Sequence, residues 1–134
     1  HCPRHTIISK DDILNAKKEH PQARVAVHPE CTKDVTTLAD FVGSTSAIID
    51  YVVNTDADEF IIGTVDGVFY KIHELAPDKK LYRARAVQEC VNMKKVSLEK
   101  IIDVLENETN EVFLDENIAN AALKPLEKML ELAQ

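Results

Sequence analysis

Four short β-prone runs alternate with helical segments along most of the chain, and this alternation constrains the fold more than any other feature. The runs span residues 23–27, 40–42, 59–62 and 80–83, with helical segments between them at 33–38, 47–53 and 65–75. Strands that alternate with helices form parallel βαβ units with right-handed connections and helices on both faces of the sheet. The sequence therefore predicts an α/β fold, a three-layer α/β/α sandwich with a short parallel sheet.

Helices are predicted at both ends of this α/β region. Ser9 begins a capping box that has Asp in place of the usual Glu, and Pro21 marks the limit of the helix that it opens. Ser97 caps a helix to about residue 107, and Asp115 opens a longer helix to residue 132. Because Pro125 lacks a backbone N–H, it is predicted to kink this last helix or to break it in two.

The domain organisation follows from these segments. Residues 1–22 are interpreted as the end of a preceding domain with a connecting helix, residues 23–95 as the α/β/α domain, and residues 96–134 as a C-terminal helical segment. A chain of 134 residues, 45% of them hydrophobic, is long enough to bury a core. Since the chain begins with His1 and not with Met, we expect it to be cut from a longer protein.

The net charge of -7 argues against function classes that need a basic surface. No Lys/Arg block is longer than a pair, Trp is absent and only 5% of residues are aromatic, so nucleic acid is not the expected partner. A run of about 18 apolar residues, which would span a bilayer, is also missing, as is the layout of a signal peptide. We therefore expect a cytoplasmic protein that binds a small molecule and has no membrane partner.

Polar residues follow the predicted strands at the edge where open parallel sheets bind their ligands, and Gly63-Thr64 follows the third strand. His28 and Glu30 follow the first strand and supply an imidazole and a carboxylate whose pKa burial can raise. This pair is suited to proton abstraction next to a carbonyl or imine, and the alternative is that it only caps a helix. Ser44 and Thr45 follow the second strand and can bind a phosphate or carboxylate, with ordinary helix capping as the alternative.

The three cysteines, Cys2, Cys31 and Cys90, lack the spacings of a zinc ribbon or a disulfide framework. Taken alone, such scattered cysteines are most simply inert buried thiols. A second interpretation is a tetrahedral zinc site, formed if the loops that carry Cys2 with His5 and His28 with Cys31 come together. Cysteine spacing does not decide between these alternatives.

Four local strings of the sequence resemble quinolinate synthases in their order and spacing. They are VHPEC at 27–31, LADFVGSTS at 38–46, DEFIIGT at 58–64 and CVNMKK at 90–95. The resemblance implies that the chain is the C-terminal part of an enzyme with three similar α/β/α domains around a pseudo-threefold axis. Each domain of that family gives one cysteine to a central 4Fe-4S cluster with one open iron. Cys2 and Cys90 match two of these ligands, whereas Cys31 does not, so the third ligand is expected upstream of this sequence.

The resemblance also implies roles for individual residues. The family condenses iminoaspartate, which aspartate oxidase makes, with dihydroxyacetone phosphate to give quinolinate for NAD biosynthesis, and is classed as a transferase. Glu30 and His28 match its catalytic residues. The positions that match its substrate-binding residues are His5, His28, Pro29, Glu30, Ser44, Thr45 and Met93. Without the upstream domains the fragment alone is expected to be inactive. The alternative function is a zinc-stabilised or metal-free α/β ligand-binding module without catalysis.

Overall fold

The four predicted strands form one parallel sheet in the computed structural model, which describes residues 2–133. The strands are β1 (Arg24–Val27), β2 (Phe41–Val42), β3 (Glu59–Gly63) and β4 (Lys80–Arg83), in the order β2-β1-β3-β4. Each neighbouring pair is parallel, and β1 lies beside β3 with Val27 opposite Gly63. The predicted α/β fold with a short parallel sheet is confirmed.

Five α-helices accompany the sheet. They are α1 (Pro3–Thr6), α2 (Lys10–Glu19), α3 (Lys33–Thr36), α4 (Thr45–Asn54) and α5 (Gly67–Leu75). The capping box predicted at Ser9 is present, since Ser9 and Asp12 satisfy each other's backbone N–H groups. The short helix α1 is not among the predicted elements, because one turn is too short to show a periodic apolar pattern.

Helices cover both faces of the sheet because successive strand residues point to opposite sides. Val25 and Val27 of β1 pack with Ile13 of α2 and Val35 of α3 in one core cluster. The opposite face forms a second cluster with α4 and α5, made of Ala26, Ile48, Val52, Phe60, Ile62, Val68 and Ile72. This is the three-layer arrangement predicted from the alternation of strands and helices.

The chain divides into two compact units, with the boundary between Met93 and Lys94. The sheet and helices α1 to α5 belong to the first unit. The second unit contains α6 (Leu98–Asn107) and α7 (Glu116–Leu132), which follow a 3-10 helix at Met93–Lys95. The predicted domain limits at residues 22 and 95, and the pseudo-threefold arrangement with further domains, remain predictions.

The second unit differs from the sequence prediction at one point. Ser97 and Asp115 cap α6 and α7 as predicted, but α7 continues through Pro125 as one helix. Of the two predicted alternatives at Pro125, the break was wrong, since loss of one backbone hydrogen bond leaves those of the neighbouring turns in place, and the kink stays a prediction. Among residues 2–133, no helix is both long enough and apolar enough to cross a bilayer.

Candidate active site

The candidate site lies at the carboxyl ends of β1 and β3. The turn after β1 carries His28 and Glu30, and Thr64 directly follows β3. The backbone N–H of His28 donates to the carbonyl oxygen of Gly63 at 3.1 Å, which extends the β1–β3 pairing by one residue. Because these strands are neighbours and parallel, residues far apart in sequence meet at one edge of the sheet.

His5, in the last turn of α1, connects these two strand ends. Its Nδ1 lies 2.9 Å from a carboxylate oxygen of Glu30, and its Nε2 lies 2.9 Å from the hydroxyl oxygen of Thr64. His5 is 5% exposed and Thr64 is 1% exposed, whereas Glu30 remains partly open to solvent. Both ring nitrogens of His5 therefore have protein partners.

Glu30 is ionised at neutral pH. The hydrogen bond from His5 is the largest influence and holds the pKa of the Glu30 carboxyl below its usual value, and the electrostatic influence of the neighbouring His28 and His5 acts in the same direction. Burial opposes this effect but does not outweigh it. The expectation that burial raises this pKa was therefore wrong, because the carboxylate is half-exposed and hydrogen-bonded in its charged form.

His28 is held as a neutral imidazole beside this pair. Its ring stacks on that of His5, with centroids 4.0 Å apart and planes inclined by 10°. Burial, followed by the neighbouring His5, lowers the pKa of His28, while the Glu30 carboxylate partly opposes the shift. The backbone N–H of Glu30 lies 3.2 Å from His28 Nδ1, which must then accept, so the ring proton of His28 is on Nε2.

The three cysteines have different environments. Cys31 is buried in the core, its thiol donates to the Gly63 carbonyl oxygen at 3.6 Å, and burial raises its pKa to about 11. Cys2 and Cys90 are half-buried. The backbone N–H groups of Met93 and then Asn92 lower the pKa of the Cys90 thiol, and the Arg4 guanidinium adds to the effect. The Cys90 thiol is therefore ionised more readily than the Cys31 thiol.

The zinc set considered from the sequence is not the set that the structure brings together. Within residues 2–133, the ligand atoms that approach to within 4.8 Å of one another belong to Cys2, His5 and Glu30. Cys31 belongs to the zinc set expected from the sequence, but its thiol donates to the carbonyl oxygen of Gly63. The turn after β1 thus places Glu30, and not Cys31, beside His5.

The remaining predicted site residues lie in less enclosed positions. Ser44 caps α4 by accepting a hydrogen bond from the Ala47 N–H, and Thr45 is half-buried at the first position of that helix. Both follow β2, the neighbour of β1, and so belong to the same edge of the sheet as His28. Pro29 is exposed in the turn after β1, and Met93 is 67% exposed.

Two buried residues at this site were not identified as functional from the sequence, namely Thr64 and Gln88. Gln88 is 1% exposed, and its amide group donates to the carbonyl oxygens of Ile62 and Thr64. Its side-chain oxygen accepts from the Arg85 backbone N–H at 2.9 Å. The sequence places Gly63-Thr64 at the end of the third strand without indicating a chemical role, whereas no sequence signal distinguishes Gln88 from a surface glutamine.

Comparisons with known proteins show the family of this chain. The family model for the quinolinate synthetase A protein matches residues 1–131. The quinolinate synthase of Caldicellulosiruptor saccharolyticus is 46% identical over 132 residues, which are 98% of this chain and 44% of that protein. That of Fusobacterium nucleatum is 47% identical over 133 residues, and that of Methanosarcina barkeri is 41% identical over 130 residues.

These comparisons confirm the resemblance inferred from the four strings and show which share of the relatives it covers. The match extends over nearly the whole chain, but the chain spans less than half the length of these curated relatives. It is therefore a fragment with respect to those proteins. This chain belongs to the quinolinate synthetase A protein family.

Proposed function

We propose that this chain is the C-terminal part of a quinolinate synthase that condenses iminoaspartate with dihydroxyacetone phosphate. The products are quinolinate, a precursor in NAD biosynthesis, together with phosphate and water, and an aspartate oxidase would supply the iminoaspartate. The observation that carries this proposal is the ionised Glu30 carboxylate, which lies beside the stacked rings of His5 and His28 at the carboxyl end of the sheet. Relatives named quinolinate synthase at 41% to 47% identity support it.

Cys2 and Cys90 are assigned as 4Fe-4S cluster ligands in this proposal. Cluster ligands are thiolates, and Cys90 has a lowered pKa, which favours that form. Cys31 does not fit, since its buried thiol stays protonated. The third thiolate comes from the upstream part of the full-length protein. When bound, a cluster with three cysteine ligands offers an open iron that acts as a Lewis acid on substrate oxygen or nitrogen.

Glu30 is assigned the role of general base. Condensation, isomerisation and dehydration each require a proton to leave carbon or oxygen, and an ionised carboxylate can accept it. The His5 Nδ1–H bond holds the carboxylate in one orientation. The protonated carboxyl can then return the proton to a departing hydroxyl group, so that one residue serves both the isomerisation and the dehydration.

His28 and the start of α4 are assigned to substrate binding. The Nε2–H of neutral His28 can donate to a substrate carboxylate or hydroxyl oxygen without adding a charge. Thr45 and Ser44 lie at the N-terminus of the ten-residue helix α4, where free backbone N–H groups favour a carboxylate or phosphate. Pro29 and Met93 are assigned to the walls of the pocket.

Anaerobic reconstitution of the full-length protein with iron and sulfide tests the proposal. We expect visible absorption from the cluster and formation of quinolinate from the two substrates. Cys90→Ser should lose the cluster absorption, whereas Cys31→Ser, a matched change at a core thiol, should keep it. A colourless wild type that binds zinc and forms no quinolinate would instead support a ligand-binding module, and loss of colour in Cys31→Ser would contradict the ligand assignment.

A further inference from the structure

A buried hydrogen-bonded chain runs from Thr64 through His5 to Glu30. The Thr64 hydroxyl oxygen is 2.9 Å from His5 Nε2, and His5 Nδ1 is 2.9 Å from the Glu30 carboxylate. Thr64 and His5 are both more than nine-tenths buried. Nothing in the resemblance assigns a role to Thr64, so the purpose of its hydroxyl has to come from this geometry.

The donors and acceptors of this chain follow from the charge on Glu30. An ionised carboxylate can only accept hydrogen bonds, so His5 Nδ1 must carry a proton. In a neutral imidazole the other nitrogen, Nε2, is then an acceptor, and the Thr64 hydroxyl donates to it. Thr64 thus satisfies a lone pair that would otherwise be buried without a partner, at a cost of about 1–3 kcal/mol.

We propose that Thr64 is a positioning residue that holds His5 in the orientation and tautomer with Nδ1–H directed at Glu30. The proposal rests on the proposed function of Glu30 as the general base. It assigns His5 to the orientation of Glu30, because both ring nitrogens of His5 are occupied by protein groups. Direct contact between His5 and substrate, which the resemblance implies, would require the Thr64 hydrogen bond to break.

Thr64 is itself held in place by the protein. Gln88 donates to the backbone carbonyl oxygens of Ile62 and Thr64 on either side of Gly63. These buried hydrogen bonds fix the backbone from which the Thr64 side chain reaches His5. The stacked ring of His28 lies against His5 and limits its rotation about the side-chain bonds. The hydrogen bonds that join Thr64, His5 and Glu30 are thus in place before substrate enters.

Nitrogen NMR of the full-length protein, labelled with ¹⁵N at the histidine rings, tests this tautomer directly. The His5 signals are assigned by their loss in His5→Gln. We expect the tautomer that the hydrogen-bond geometry favours in the wild type, with the proton on Nδ1, which faces Glu30, and with Nε2 accepting from Thr64. Thr64→Val, which keeps the shape and removes the hydroxyl, should shift the Nε2 signal, while Thr64→Ser should retain it. A wild-type His5 whose proton resides on Nε2 overturns the proposal, whatever reaction the enzyme catalyses.

Steady-state kinetics of the reconstituted full-length enzyme provide the second readout. Thr64→Val should lower kcat on the order of tenfold and leave KM nearly unchanged. This loss is only part of the roughly 10²–10⁴-fold acceleration that a positioned general base contributes. The acid limb of its kcat/KM profile should move to higher pH, because Glu30 loses the fixed His5 donor. Thr64→Ser should restore both. A raised KM with unchanged kcat would overturn the positioning role in favour of uniform substrate binding.

Thr55→Val is the matched control. Thr55 is half-buried, and its hydroxyl donates to the backbone carbonyl oxygen of Tyr51. It lies beyond the C-terminus of α4, which is the end of that helix remote from Ser44. This variant should leave kcat, KM and the His5 signals unchanged. A wild type that shows the expected tautomer but forms no quinolinate would overturn the proposed function and not the Thr64–His5 geometry.

Discussion

At the scale of single residues, the chemistry of the site depends on neighbours more than on residue type. Glu30 has a low pKa because His5 donates to it, and His28 has a low pKa because it is buried against a second imidazole. Cys31, three residues from His28, is a protonated core thiol. The residue identities alone predicted a titratable pair, but the direction of the Glu30 shift required the structure.

Glu30→Gln tests the general base. Glutamine keeps the size of the side chain but cannot accept a proton from substrate, so we expect kcat to fall by at least about 10²-fold. Cluster absorption should be retained, because Glu30 is not assigned as a cluster ligand. The measurement is a quinolinate assay beside a visible spectrum of the same reconstituted full-length sample. Substantial turnover by a fully coloured Glu30→Gln would refute the assignment.

The lowered pKa of His28 should make the stability of the folded protein depend on pH. The folded protein resists protonation of His28, so below the ordinary pKa of about 6.5 the unfolded state binds more protons. Stability is therefore expected to fall as pH is lowered through this range. The urea midpoint of full-length His28→Gln should decrease less between about pH 7 and about pH 5 than that of the wild type. Equal slopes for the two proteins would argue against this origin.

At the scale of elements, the site exists because parallel strands end together. β1 delivers His28 and Glu30, β3 delivers Thr64, and the close pairing of Val27 with Gly63 sets their spacing. Gly63 is at this junction, and a Cβ there would lie 2.8 Å from Val27 Cγ1. The absence of a side chain at residue 63 thus permits the approach of the two strand ends.

Gly63→Ala should destabilise the full-length protein by about 1–3 kcal/mol, because the added methyl group meets the packed Val27 side chain. Gly67→Ala is the matched control, since a Cβ at Gly67 meets no atom within 4 Å and alanine favours the helix α5 by up to about 1 kcal/mol. Urea denaturation measures both. If both substitutions destabilised the protein equally, the contact with Val27 would not be the cause.

At the scale of the whole molecule, the chain holds only part of what the proposed reaction needs. It spans less than half the length of its curated relatives and contributes two of the three proposed cluster ligands, Cys2 and Cys90. Many large apolar residues of α6 and α7 are exposed, among them Leu98, Leu105, Ile118, Met129 and Leu132. Such surface is usually covered in a complete protein.

The isolated 134-residue chain is therefore expected to be inactive. After the same anaerobic reconstitution as the full-length protein, it should show little stable cluster absorption and form no detectable quinolinate, because the isolated chain lacks the proposed third thiolate and any substrate contacts that the proposed upstream domains contribute. Iron content, visible absorption and product are measured side by side for the two proteins. A full cluster in the isolated chain would mean that its own residues suffice as ligands.

The sequence by itself determined the elements of this protein and its family. The alternation of apolar runs predicted the parallel sheet, Ser9 and Asp12 predicted a capped helix, and the string around His28 and Glu30 predicted the candidate site, since each depends on residues close together in the chain. Only the tertiary structure joined His5 to Glu30 and Thr64, which are 25 and 59 residues away. Burial, tautomers and pKa values depend on contacts across the sheet edge, and no local pattern encodes such contacts.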